Sequence, residues 1–363
     1  MAKVDLLDGA RSAQYQQFLS AMHKSRPGEV VTLDDDTVDR SVPIIPTGAI
    51  ELDVALGTGG VPRGRIIELY GPEMSGKTSL ALTIAANCQR MGGFVGFIDA
   101  EHALTAGHAE DMGVIPRRMV TYQPNYGEQG VQMVEDMVKS EGFDIIIVDS
   151  VAALVPKAEI DGEIEDQHMA LQARLMSRFM ARANGICSES GTMLILVNQL
   201  REKLGSYGNP EITPGGRAIK FYASVRLDVR SAAGDRITEG KEIVGQTCKV
   251  TVKKNKLAAP FKQAKYDLYF GKGIDPASGL RDAGQAAGVI SRTGNTYTDL
   301  LGGVVIGIGK EKCDAVLRED EALRNSLREG IYAVLRGEPP AILGSGDATA
   351  LGGGGDDPDA GAE

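Results

Sequence analysis

Short apolar runs and helix-like stretches alternate from Thr47 to about Val229. The runs predict strands at 66–70, 94–99, 119–122, 143–149, 193–198 and 224–229. A further run at 248–254 continues the sheet, with antiparallel pairing at that edge. Between them, 78–90, 103–112, 128–140 and 168–190 carry helix-forming residues. Strand–helix alternation of this kind builds a twisted, mostly parallel sheet covered by helices on both faces, an α/β fold.

The flanks read differently. Residues 11–24 space Tyr15, Phe18, Leu19 and Met22 as on an amphipathic helix, stopped by Arg26-Pro27-Gly28. A short strand is expected at 29–33, before an acidic linker at 34–36. So short a segment offers that helix no partner, so it must dock on the main body or on another subunit. Two polar stretches, 156–167 and 201–216, are long for connections in a compact domain, where such loops tend to be functional or disordered. From Gly271 a smaller α+β unit is expected, ending in a helix at 322–335, and the Gly- and Asp-rich tail has the composition of disorder. The expected divisions are 1–36, 37–270, 271–340 and 341–363.

One loop changes the picture. Gly71-Pro72-Glu73-Met74-Ser75-Gly76-Lys77-Thr78 follows a predicted strand and opens a predicted helix at Ser79. Glycine lets the backbone turn tightly enough for successive N–H groups to face an anion. The helix start adds its positive dipole end, Lys77 can reach β- and γ-phosphates, and the Thr78 hydroxyl can ligate Mg²⁺. The chain is expected to bind a nucleoside triphosphate.

Ligands of parallel sheets gather at the carboxyl ends of strands. One strand ends in Asp149, placed to hold Mg²⁺ through its water shell, although a helix cap would use the same residue. Another ends in Asp99-Ala100-Glu101, and either carboxylate could orient a water, with Glu101 the better placed. His102 reads as structural. A third ends in Asn198-Gln199, where a neutral amide could sense a γ-phosphate and pass its state to the following loop. No arginine finger stands inside this core, and Lys253-Lys254-Asn255-Lys256 is a source of positive charge that an adjacent subunit could supply.

Composition narrows the partners. The net charge of −10 argues against nucleic acid, but from Arg217 to Lys265 twelve Lys and Arg face four acids. From Pro339 onward there are five acids and no base. This asymmetry points to a polyanionic partner, or else to a basic face balanced by acids from elsewhere. The four cysteines lie far apart and the four histidines form no cluster, which gives no transition-metal spacing. No membrane-length apolar run or signal-peptide pattern is present, so the expected location is the cytoplasm, with no membrane partner.

Taken together, these segments resemble the bacterial RecA recombinase family. The resemblance runs from Thr47-Gly48-Ala49-Ile50-Glu51-Leu52-Asp53 through the phosphate loop. It continues through Phe97-Ile98-Asp99-Ala100-Glu101-His102-Ala103-Leu104 and Val148-Asp149-Ser150-Val151-Ala152-Ala153-Leu154. Asn198-Gln199, Gly208-Asn209-Pro210-Glu211, Lys220-Phe221-Tyr222-Ala223-Ser224 and Lys254-Asn255-Lys256-Leu257-Ala258-Ala259-Pro260-Phe261 extend it to about Gly273. It implies a P-loop NTPase core of the RecA type that binds ATP and Mg²⁺ from Gly71 through Ser79 with Asp149, Glu101 activating water and Gln199 sensing the γ-phosphate. Lys254 and Lys256 would reach the ATP of a neighbouring protomer, with Phe221 at the subunit interface. The two long loops would contact DNA, through Arg174, Arg201, Tyr207, Gly215 and Gly216.

The chain departs from the family pattern in three places. His108 stands where a tyrosine usually covers the adenine, with Thr105 replacing an acid. The second loop is one residue shorter, with Tyr207 where an aromatic residue is expected. The N-terminal segment lacks the family's Lys-Gln-Phe-Gly-Lys-Gly-like stretch. The expectation is a DNA-dependent ATPase of recombinational repair that forms helical homopolymers on single-stranded DNA and exchanges strands with duplex DNA. Activation of repressor self-cleavage in the SOS response is an added role, and a ring-forming helicase or motor ATPase on the same core is the alternative.

Overall fold

The computed structural model describes residues 10–26, 30, 32, 42–162, 171–202, 211–231 and 233–342. The chain forms two compact units, Met1–Pro43 and Ile44–Glu363. In the first, helix α1 (Ala10–Ser25) matches the helix expected from the apolar spacing and exposes Tyr15 and Phe18. The strand expected at 29–33 falls largely outside the described residues.

The second unit is built on a ten-stranded sheet. Helix α2 (Ile50–Leu56) precedes β1 (Ile66–Gly71), the phosphate loop and α3 (Lys77–Arg90). Then follow β2 (Val95–Asp99), α4 (Ala106–Asp111), β3 (Met119–Tyr122), α5 (Gly127–Lys139), β4 (Ile145–Asp149) and α6 (Lys157–Ile160). The core continues through α7 (Leu171–Ser190), β5 (Met193–Gln199), β6 (Arg201–Glu202), β7 (Glu211–Ile212), α8 (Arg217–Tyr222) and β8 (Val225–Arg230). Strands β9 (Arg236–Glu239), β10 (Glu242–Asn255), β11 (Gln263–Tyr269) and β12 (Gly273–Ile274) complete the sheet. Its order is β12-β11-β10-β8-β1-β5-β4-β2-β3, with β9 paired to β10.

From β8 to β3 every pairing is parallel, with β1 at the centre between β8 and β5. Beyond β8 the pairings turn antiparallel, as expected at that edge. Apolar strands such as Ile145-Ile146-Ile147-Val148 are buried on both faces, so their alternate side chains feed two cores. One core lies under α3 and the other under α5 and α7. A third joins Ile50 of α2 to a C-terminal sheet and its helices. These elements are α9 (Leu280–Ala286), β13 (Ile290–Thr293), β14 (Thr296–Asp299), β15 (Val304–Ile308), α10 (Lys310–Glu319) and α11 (Glu321–Leu335).

Three local expectations change. The helix expected from Ala103 starts at Ala106, because the Asp99 carboxylate takes the N–H groups of Ala103 and Leu104 and Thr105 caps the helix instead. The edge strand is twice the expected length, since its far half pairs with β9 as a hairpin. The two polar stretches are not wholly irregular: the first carries α6, and the second is closed at its root by the β6–β7 ladder. Residues 163–167 and 203–210 of these stretches lie outside the described residues.

Candidate active site and its neighbours

Strand β1 delivers Gly71 so close to β8 that a Cβ there would sit 1.9 Å from the Val229 carbonyl oxygen, which restricts the position to glycine. Gly76 turns the loop into α3 with φ 90°, and Met74 holds φ 56° with its side chain exposed. Lys77 Nζ donates to the Pro72 carbonyl at 2.5 Å and reaches Ser75 Oγ at 3.5 Å. Burial holds its amine below the ordinary lysine range, against the pull of Asp149 and Glu101. Thr78 Oγ1 donates to Asp149 Oδ2 at 2.5 Å, joining the start of α3 to the end of β4. Burial pushes the Asp149 carboxyl up to about 6, with the Thr78 hydroxyl acting in the opposite direction.

The two carboxylates at the end of β2 separate by environment. Asp99 is buried and accepts from Ala103 N at 3.0 Å, Leu104 N at 3.3 Å and Gln123 Nε2 at 2.9 Å. Those donors occupy it in building the β2–α4 turn. Glu101 is exposed, and its Oε1 accepts from Gln199 Nε2 at 2.9 Å and from the Ser150 hydroxyl. Glu101 and Gln199 are thus in contact across the ends of two strands. Sequence reasoning passed over Ser150, although it directly follows Asp149.

A cavity of about 370 Å³ opens beside the loop, lined by Met74 through Ser79, His108, Gln246, Tyr269 and Phe270. Its shape brings His108 of α4 to the residues of the phosphate loop, with the His108 N–H held by Thr105 Oγ1 at 3.2 Å. Thr105 therefore still caps α4 where an acid was expected. Gln246, Tyr269 and Phe270 come from the antiparallel edge, and no spacing in the sequence marks them.

Lys254 and Lys256 lie elsewhere. Lys254 Nζ donates to the carbonyls of Lys220 and Phe221 at 2.7 and 2.9 Å, and Lys256 Nζ to that of Tyr222 at 3.4 Å. Both amines therefore sit on the C-terminal carbonyls of α8, a favoured place for cations. Ser224, just beyond α8, bonds to Ile66 at the start of β1, so α8 ends at the amino-terminal edge of the parallel strands. The phosphate loop leaves the opposite edge, roughly 16 Å away along β1. Phe221 beside these lysines is 71% exposed.

Of the expected DNA contacts, Arg174 in the first turn of α7 and Arg201 on β6 are exposed. Gly215 and Gly216 have φ of 82° and 77°, and Cβ atoms there would press on Ile219 and Ala173, so backbone conformation and packing both favour glycine. Tyr207 lies outside the described residues. The root of this stretch is tied to the sheet by Asn198 Nδ2, which donates to the Pro214 carbonyl and to buried Glu68 Oε1, each at 3.1 Å. Part of the basic excess is balanced in space. Arg226 pairs with Glu68, Arg230 with Glu211 and Asp228, and Lys249 with Asp235.

The model of the RecA N-terminal domain matches residues 16–275. The chain is 46% identical to Protein RecA of Thermus thermophilus over 342 residues, 94% of this chain and 99% of the relative. It is 48% identical to Protein RecA of Caldanaerobacter subterraneus over 316 residues, 85% and 91% of the two chains. With Protein RecA of Thermus aquaticus it shares 50% over 307 residues, 84% and 88% of the two.

Proposed function

The chain belongs to the RecA family of DNA-dependent ATPases in recombinational repair, and from that premise we propose that it forms helical filaments on single-stranded DNA and exchanges strands with duplex DNA. ATP is held at each joint between protomers. The phosphate loop with Lys77 binds the triphosphate, and Glu101 orients the attacking water while Gln199 reads the γ-phosphate. The hydroxyl of Thr78 and the carboxylate of Asp149 meet beside the loop as hard oxygen donors, a set that suits Mg²⁺, with Asp149 acting through water. Held there by Thr78 and Asp149 with the triphosphate, Mg²⁺ would supply positive charge that offsets that of the phosphates.

The observation that carries this reading is the Glu101–Gln199 contact, 2.9 Å long, with Gln199 two residues before the ladder that opens the 201–216 stretch. A γ-phosphate that competes for the Gln199 amide shifts the root of the DNA-contacting stretch, and DNA bound there bears back on Glu101. Arg174, Arg201, Tyr207 and the N–H groups of Gly215 and Gly216 make the DNA contacts. Lys254 and Lys256, directed away from their own loop, serve the ATP of the adjoining protomer, with Phe221 in the joint. Exposed Tyr15 and Phe18 on α1 offer an apolar face for the same polymer. The ordered, ATP-bound polymer is also the form that engages a repressor-type partner.

ATP turnover with and without single-stranded DNA, on the native chain and on Lys77→Ala, tests the proposal. Turnover is expected to rise many-fold with DNA and to be lost in Lys77→Ala. Turnover that ignores DNA would sink it.

A further inference from the structure

The phosphate loop is gripped along one side by strand β10, whose Gln246 also borders the cavity beside the loop. Gln246 Nε2 donates to the Met74 carbonyl at 2.9 Å, and its Oε1 accepts from Ser231 Oγ at 3.2 Å. Two residues on, Cys248 Sγ donates to the Ser75 carbonyl at 3.5 Å. The same patch of β10 and β11 closes under Gly76, where a Cβ would meet Cys248 Sγ at 3.0 Å and Leu268 at 3.2 Å.

The consequence follows from peptide geometry. In a planar trans peptide the C=O and N–H point in opposite directions. Drawing the Met74 carbonyl toward Gln246 turns the Ser75 N–H the other way, and drawing the Ser75 carbonyl toward Cys248 does the same for the Gly76 N–H. Among the described residues neither N–H has a protein acceptor. Two successive N–H groups fixed on one side of a turn form an anion nest. Met74 lies in the left-handed region, which an unbranched side chain tolerates only at a cost, so this turn needs an external hold to keep its form.

We propose that Gln246, and more weakly Cys248, are positioning residues that preset the phosphate loop by pinning two consecutive carbonyls outward, so that the Ser75 and Gly76 N–H groups face the phosphates before nucleotide arrives. Ser231 holds the Gln246 amide in the donating orientation. This rests on the reading of the loop as the ATP site. Neither side chain touches the reacting atoms, and the effect belongs to binding more than to the chemical step.

The test is equilibrium titration of the full chain with a fluorescent ADP derivative, without DNA, alongside KM and kcat for ATP with DNA. Gln246→Glu keeps the shape and the acceptor for Ser231 but has no donor for the Met74 carbonyl. Gln246→Ala and Gln246→Glu should each weaken ADP binding roughly tenfold, the scale of one well-placed hydrogen bond. KM should rise more than kcat falls. Cys248→Ala should lose about threefold, and Cys248→Ser, which keeps a donor, should recover most of that. Lys77→Ala is the reference. If it weakens ADP binding while both Gln246 variants bind like the native chain, the positioning role is wrong. If Lys77→Ala itself binds normally, the reading of the site falls instead. Should Gln246→Ala fail to fold, Gln246→Glu and the Cys248 pair decide the matter.

Discussion

The two ends of the central sheet carry different halves of the proposed ATP apparatus. At the carboxyl ends of the parallel strands, Lys77, Thr78, Asp149, Glu101 and Gln199 are gathered from four strand ends, with Thr78 bonded to Asp149 and Gln199 to Glu101. At the amino ends, Lys254 and Lys256 rest on α8 beside exposed Phe221, away from the phosphate loop of their own chain. The first half is built inward, around buried Lys77 and Asp149, whose acidities burial shifts. The second is built outward. A chain that needed both halves on one nucleotide could join them only by supplying each to a different neighbour, and the proposed polymer does this.

The largest effects should come from breaking either half. Lys77→Ala removes the loop's cation, and the double change Lys254→Ala with Lys256→Ala removes the opposite half. Each is expected to lower DNA-dependent turnover by about 10³-fold, the scale of losing a charge that stabilises a transferring phosphoryl group. Nucleotide affinity of the free protomer should separate them, falling in Lys77→Ala and holding in the lysine pair. Mixing the two inactive proteins sharpens the comparison. In a random polymer about one joint in four pairs an intact loop with intact lysines, so turnover should return to about that fraction of native. No recovery on mixing would mean that both halves serve the same protomer's ATP, or that the lysines act only through α8.

Glu101→Gln should lower turnover by about 10²-fold or more and leave ATP binding and DNA-bound polymers in place, as expected for removing a general base. Electron microscopy with ATP, read beside the rate, checks this. Polymers that vanish along with turnover would assign Glu101 to assembly.

Much of the inward half was legible in the sequence because parallel strands write themselves as apolar runs and end abruptly in polar residues. Asp149, Glu101 and Gln199 each follow such a run. What hid were partners without local pattern. The engagement of Asp99 by three donors decides how it differs from Glu101, yet one of those donors, Gln123, lies on the chain after β3. Gln246 meets the loop across 172 residues of sequence. The outward half was less legible. Lys254 and Lys256 stood out as charge, and the antiparallel pairing of β10 with β8 carries them to the far end of the sheet, but the short α8 whose carbonyls hold them has no signature in six residues. The basic excess overstated the free charge, because the acids that balance Arg226 and Arg230 include Glu68 and Glu211, outside the stretch that was counted.

Acidity should limit the inward half. Burial raises the Asp149 carboxyl to about 6, so it is ionised above that pH and takes up a proton as pH falls through it. Mg²⁺ needs the ionised form, so DNA-dependent turnover should drop about tenfold per pH unit below that point. Raising Mg²⁺ should move the midpoint to lower pH, because the hydrated metal and the proton compete for the same carboxylate. A rate that stays flat from neutrality to well below the midpoint, at limiting Mg²⁺, would separate Asp149 from the metal.

The smallest effect concerns the support of the outward half. Asn255, between the two lysines, donates through Nδ2 to the Leu56 carbonyl at the end of α2 at 2.9 Å, so α2 steadies the turn that carries them. Helix α2 is itself anchored by buried Asp53, which accepts from Thr47 N at 2.8 Å and from the Tyr332 hydroxyl of α11 at 2.8 Å. Burial raises the Asp53 carboxyl to about 7, with hydrogen bonds from Thr47 and Tyr332 and the charge of Arg328 opposing it. The folded chain thus keeps a proton that the unfolded chain gives up near 3.8, and its stability falls as pH rises between those values. Asp53→Asn removes the titration while keeping an acceptor for Tyr332. Its melting temperature relative to native should therefore improve between pH 5 and pH 8 by a few degrees, on the order of 2 to 3 kcal/mol. The lysine-dependent turnover should change less than twofold, since the turn is steadied and not built by this contact. An offset between the two melting curves that stays constant with pH would show that Asp53 is already ionised in the folded chain, held by Tyr332 and Arg328. In that case the anchor between α2 and α11 is ionic, and the support of the outward half weakens in acid instead of in base.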